Sequence, residues 1–144
     1  SPLTAKDISL CSPISAEANL EEIIHAVSDG KTNKIKHILN RLEAQGVHPV
    51  TMCISFQRHF KLLLNLKNHG GTPLEAISSY KPPIFGPKRH ALINQLKLWN
   101  EETLKIALSF FVELDLDLRS ANIRYPSLAI TERVLIRVAM IARR

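Results

Sequence analysis

Cysteine is scarce in this 144-residue chain, and neither Cys11 nor Cys53 belongs to a CxxC pair or to a zinc-type spacing. No staple is required at this length, where about two thirds of the unfolded surface can be buried on folding. Cys53 falls in an apolar helical stretch whose neighbours at helical spacing, Pro49, Val50, Phe56 and Gln57, include no cation to activate a thiolate. A reduced, packed thiol is therefore the expectation. No apolar run approaches the roughly 18 residues of a membrane span, and no basic stretch followed by a hydrophobic one opens the chain. A cytoplasmic setting without membrane contact follows as an expectation. The six histidines, at 25, 37, 48, 59, 69 and 90, never recur three or four residues apart, so no helix offers paired metal ligands. Gly70-Gly71 lacks the G-x-x-x-x-G-K-[ST] spacing that cradles phosphates. No segment alternates apolar and polar residues with period two, which argues against strands. Metal, cofactor, small-molecule substrate and catalytic constellation are all expected to be absent.

What the chain does contain is helical stripe after helical stripe. Hydrophobic content of 45% against 22% charged residues describes an ordinary folded domain rather than a disordered one. Residues 1–18, with two prolines, four serines and no initiator Met, read as the end of a preceding module and a linker, and residues 19–144 as a helical domain. Asn19 with Glu22 forms a candidate cap and box; Leu20, Ile23, Ile24 and Val27 then run to Asp29-Gly30. Ile35, Ile38, Leu39 and Leu42 make a second stripe ending at Gly46, and Pro49 restarts a long one through Cys53, Phe56, Phe60, Leu63 and Leu64. Thr72 and Glu75 cap a brief helix to about Ser79. Pro82 and Pro83 then stiffen a turn that empties, through Gly86-Pro87, into a basic-fronted helix. Asn100 caps a helix that is apolar on two sides, with Leu104, Leu108, Phe111 and Leu118 on one and Ile106, Phe110 and Leu114 on the other. Such a helix is either central to the bundle or shared with a partner, and the middle of the bundle is the expected place for it. Pro126 opens the last helix. The fold class predicted is all-α, a single bundle of six or seven helices.

The net charge of +6 is spread over many helices, so it names no partner by itself. Glu113, Asp115 and Asp117 read as a solvated or salt-bridging edge, because residues two apart on a helix diverge. Two basic groups stand out. Arg119, Arg124 and Tyr125 flank the turn before the last helix, where cations could hold phosphates and an aromatic could stack on a base. Lys88 and Arg89 occupy the first turn of their helix, electrostatically the poorer end for cations, which suggests an external anion. These five residues are the DNA-contact candidates, and a stand-alone nucleic-acid-binding module built on them is the alternative reading.

A different reading comes from order and spacing along the chain. Lys81, Pro82, Pro83, Ile84, Phe85, Lys88 and Arg89, then Gln95, Leu96 and Trp99, resemble the turn and "QL..W" of the C-terminal helical domain of the delta-subunit family of bacterial DNA polymerase III clamp loaders. Asp29-Gly30, Leu42 with Gly46 and Pro49, Arg58-His59-Phe60 with Leu63-Leu64, Leu118-Arg119, and Glu132-Arg133 with Leu135 are similar to further family motifs. Gly86-Pro87 stands where a second aromatic is usual, and Asn122-Ile123-Arg124-Tyr125 replaces a glycine-containing turn. The resemblance implies a collar domain: a non-catalytic ring-forming element that holds neighbouring clamp-loader subunits while the sliding clamp is loaded in DNA replication. It implies other clamp-loader subunits as partners and no contact with the sliding clamp through this part of the chain. It also puts the turn before the last helix near primer-template DNA. Phe85, Trp99, Phe110, Phe111 and Leu114 are the subunit-interface candidates.

Overall fold

Proline and glycine set the helix boundaries almost throughout. In the computed structural model, which describes residues 13–120 and 126–144, seven α-helices and no strand are found among the described residues, as predicted. The first, α1 (Pro13–Ser28), begins six residues before the expected Asn19 cap. Pro13, with its φ already helical, opens it. Asn19 lies inside α1 and is buried, donating to Gln45 Oε1 at 3.0 Å and accepting from Arg41 Nη1 at 3.2 Å. The end of α1 follows expectation. Gly30 adopts φ +78°, the Lys31 amide bonds the Ala26 carbonyl at 2.8 Å, and the Gly30 amide bonds that of Val27 at 3.1 Å. These two bonds satisfy carbonyls that the helix leaves open.

A single 3-10 turn (Thr32–Lys34) leads into α2 (Ile35–Ala44), which closes the same way at Gly46, and Pro49 then starts α3 (Pro49–Asn68). The short α4 (Pro73–Ser79) is capped by Thr72, whose Oγ1 accepts the Glu75 amide at 3.2 Å. Next, α5 (Gly86–Leu98) has Gly86 at φ +65° as its first residue, a non-helical value that suits the capping role the sequence gives it. Asn100 and Thr103 form a reciprocal box at the start of α6 (Glu101–Arg119), with bonds of 2.8 and 3.1 Å. Last is α7 (Ser127–Ala142), following Pro126.

The middle of the bundle belongs to α3, not to α6 as expected. At 20 residues it is about 30 Å long, and it packs against α1, α4, α5, α6 and α7. Helix α6 lies along α3 and beside α7. It buries one face, Leu104, Ala107, Phe111 and Leu114, and leaves Ile106, Val112 and Leu116 exposed. The core is knitted by aromatics. Phe56 stacks on Phe111 at 5.1 Å between centroids, and Phe60 meets Trp99 edge-on at 5.0 Å, contacts worth about 0.5–1.5 kcal/mol each beyond burial. Trp99 Nε1 donates to the Ser28 carbonyl at 2.9 Å, so the one polar atom of the buried indole is satisfied and ties the end of α5 to the end of α1.

Candidate subunit and nucleic-acid interfaces

The five aromatic and aliphatic interface candidates divide sharply once placed. Trp99 is 1% exposed, and Phe111 and Leu114 are equally buried in the domain's own core. Their surface is already spent on Phe56, Phe60 and neighbouring helices, which removes them as groups a neighbour could touch. The two-sided pattern of α6 is resolved in the same way: Leu114 shares the core face with Leu104 and Phe111, while Ile106 and Phe110 border α7. Phe85 is 76% exposed. Phe110 is partly buried beneath Arg137, whose guanidinium carbon sits 4.8 Å from the ring centroid.

The cationic candidates are more modest. Arg119 Nε is 3.0 Å from Asp115 Oδ1, an exposed pair one turn apart on α6, so this guanidinium already has a local counter-ion. Arg89 donates to Ser78 Oγ at 3.0 Å, bracing α4 against the start of α5. Lys88 borders a shallow depression shared with Arg58, Glu21 and His59 between α1, α3 and α5. Arg124 and Tyr125 lie outside the described residues, as does Cys11. Cys53 is fully buried, with Sγ 3.1 Å from the Phe111 carbonyl oxygen. Burial, reinforced by the Asp115 charge, pushes its thiol up to about 11.

Sequence spacing gave no hint of a polar cluster that joins three helices. Gln95 on α5 is fully buried. Its Oε1 lies 2.8 Å from His59 Nε2 on α3, and its Nε2 lies 2.8 Å from His25 Nδ1 and 3.1 Å from Asp29 Oδ1. The Asp29 carboxylate can only accept, so it fixes the amide orientation. That orientation assigns a donating Nε2–H to His59 and an accepting Nδ1 to His25. His25 Nε2 then points to Glu21 Oε2 at 3.4 Å. Desolvation, offset in part by the Gln95 bond and reinforced by His25 and Lys88, lowers the His59 pKa from 6.5 to about 4. The signal that was available is Gln95 itself, a polar residue on the apolar side of its helix. His25 and His59 are 34 positions apart, yet their rings meet edge-on at 5.3 Å. Among the described residues no group of three or more His, Cys, Asp or Glu side chains is arranged to hold a metal ion.

A second feature lies on the surface. Between α6 and α7 runs a trough of about 480 Å³, with Ile106, Phe110, Met140 and Ile141 among its lining and Arg137 and Arg144 at its edge. Ile106 is 40% and Met140 49% exposed. Ile106 and Phe110 belong to the second apolar face expected of α6, whereas Leu114, expected with them, lies in the core and Met140 comes from α7.

Comparison with known proteins places the chain in the family that the sequence motifs resemble. The chain is a C-terminal domain of the clamp loader, a non-catalytic component of the replication machinery. It belongs to the family described as processivity clamp loader gamma complex DNA pol III C-term, whose model matches residues 22–136. It is similar to DNA polymerase III subunit delta of Escherichia coli (strain K12), with 29% identity over 97 residues that cover 67% of this chain. The matched region spans 28% of the length of that relative. No solved structure matches the chain. Among the described residues no helix is long and apolar enough to cross a membrane.

Proposed function

We propose that this domain is the collar element of a clamp-loader delta subunit, acting in the cytoplasm to join sister subunits in a ring while the clamp is loaded during DNA replication. The observation that carries the reading is the family match across residues 22–136. Support comes also from the exposed aliphatic groups that border one trough between α6 and α7, Ile106 and Met140, which a lone domain gains nothing by presenting to water. Phe85, projecting from the turn before α5, is a further contact point. Sliding-clamp contact is assigned to other parts of the subunit. The test is gel filtration of the full-length subunit with its clamp-loader partners, with and without residues 19–144. Loss of co-elution on deletion supports the collar; retained co-elution refutes it.

Contact with primer-template DNA is a subsidiary part of the proposal. The net charge of +6 and the exposed Lys88 beside a half-buried Arg89 support it, although Arg119 and Arg89 each hold a local partner. Binding of the chain to primer-template DNA at two salt concentrations tests it. A Kd that weakens steeply with salt and is relieved by Lys88→Ala would count for it, and salt-independent or absent binding against it.

A further inference from the structure

We propose that the trough between α6 and α7 seats an amphipathic helix of a sister clamp-loader subunit, one that carries carboxylates beside its aliphatic stripe. This inference rests on the collar reading and supplies the chemistry of its partner. The floor is apolar: Ile106, Phe110, Met140 and Ile141 face one another across two antiparallel-linked helices. Helices dock into such floors through aliphatic side chains at three- and four-residue spacing. The edge is cationic. Arg137 lies over the Phe110 ring, a placement that leaves its N–H edge available for bidentate capture of a carboxylate. Arg144 borders the same trough. Among the described residues neither guanidinium has a carboxylate within ion-pairing distance, whereas Arg41 and Arg119 do.

Charge and polarity separate this occupant from the others. A second copy of the trough would bring the same two guanidiniums and no carboxylate from its own lining. A DNA backbone would satisfy the arginines and leave the apolar floor in water. An acidic amphipathic helix satisfies both at once, with the aliphatic contacts supplying most of the affinity and the arginines the choice of partner.

The experiment titrates the full-length subunit against the remaining clamp-loader subunits and compares wild type with Ile106→Asp, Met140→Asp, Arg137→Gln and Leu116→Asp. Expected is a more than tenfold loss of affinity for Ile106→Asp and Met140→Asp. Arg137→Gln should lose less and show a shallower salt dependence, while Leu116→Asp, away from the trough, stays near wild type. Circular dichroism reports folding; if the Asp variants unfold, Arg137→Gln and Arg144→Gln read the edge without touching the floor. Wild-type affinity in all trough variants, with assembly still lost on deletion of residues 19–144, overturns the trough and leaves the collar standing. Assembly that survives the deletion overturns both. A dimer of the isolated chain that Met140→Asp converts to monomer, with subunit binding unchanged, overturns the choice of occupant. So does primer-template DNA binding that Arg137→Gln removes while subunit binding stays intact.

Discussion

Acidifying the solution should loosen this domain through His59 before general acid unfolding begins. In the folded chain the imidazole is buried, donates to Gln95, and has its pKa lowered from 6.5 to about 4. The groups facing it are His25, Glu21 and Asp29 from α1 and its end, Arg58 on its own helix, and Lys88 and Gln95 from α5. Between pH 6.5 and 4 the unfolded chain therefore binds more protons at this site than the folded one, so stability rises with pH across that window. The contribution is fully present above 6.5 and is lost as pH falls through 4. With the pKa pair 6.5 and about 4, the loss relative to neutral pH is on the order of 2–3 kcal/mol by pH 4.5 and levels off below pH 4, at about 1.36 kcal/mol per pKa unit. His59→Gln keeps a donor toward Gln95 without a titrating ring, and carboxylate titration common to both proteins cancels in the difference. Urea unfolding followed by Trp99 emission, the single tryptophan, should show wild type losing on the order of 2–3 kcal/mol more than His59→Gln between pH 7.5 and 4.5. A difference that stays flat over this range refutes the reasoning, as does an NMR titration of His59 with its midpoint near 6.5.

Three further outcomes can be checked by the same unfolding assay or by simple chemistry. Gly30→Ala should cost about 1–2 kcal/mol for the left-handed backbone, and somewhat more because the added Cβ would sit 2.7 Å from Arg143 Cγ at the α1–α7 approach; a loss below 0.5 kcal/mol, roughly the scale of neutral surface changes, would contradict this. Asn100→Ala removes the acceptor of the Thr103 amide and should cost about 1 kcal/mol, measured as a lower urea midpoint with an unchanged slope. In a Cys11→Ser chain, Cys53, buried and with its thiol pushed up to about 11, should resist an aromatic disulfide reagent at pH 8 in the native state and react at once in urea; rapid native reaction would show the packing to be wrong.

Much of the fold could be read from local chemistry. Gly30, Gly46, Thr72, Pro49 and Asn100 each act within a few residues, and each marks its boundary where the sequence suggested. Asn19 misled because a cap residue and a buried bridging amide have the same composition; only Arg41 and Gln45, more than 20 positions away, distinguish them. Trp99, Phe111 and Leu114, expected at a subunit interface, lie in the domain's own core for a related reason. An apolar side chain looks the same in sequence whether it meets its own core or a neighbour, and which flank of α6 is covered depends on α3 and α7. Histidine spacing along single helices carries no information on contacts between helices, which is where His25 meets His59.

Gln95 also has a consequence for how α5 is seated. Its amide offers one acceptor and two donors, and they meet His59 on one side and His25 and Asp29 on the other. Sliding α5 by a turn would keep aliphatic groups against aliphatic groups, which greasy contacts alone barely penalise. The same slide would strand a buried amide and the imidazole that donates to it, at a cost of about 1–3 kcal/mol for each unmet group. A single uncharged side chain thus acts as the alignment pin of the helix, and it selects one seating among several that hydrophobic burial would tolerate.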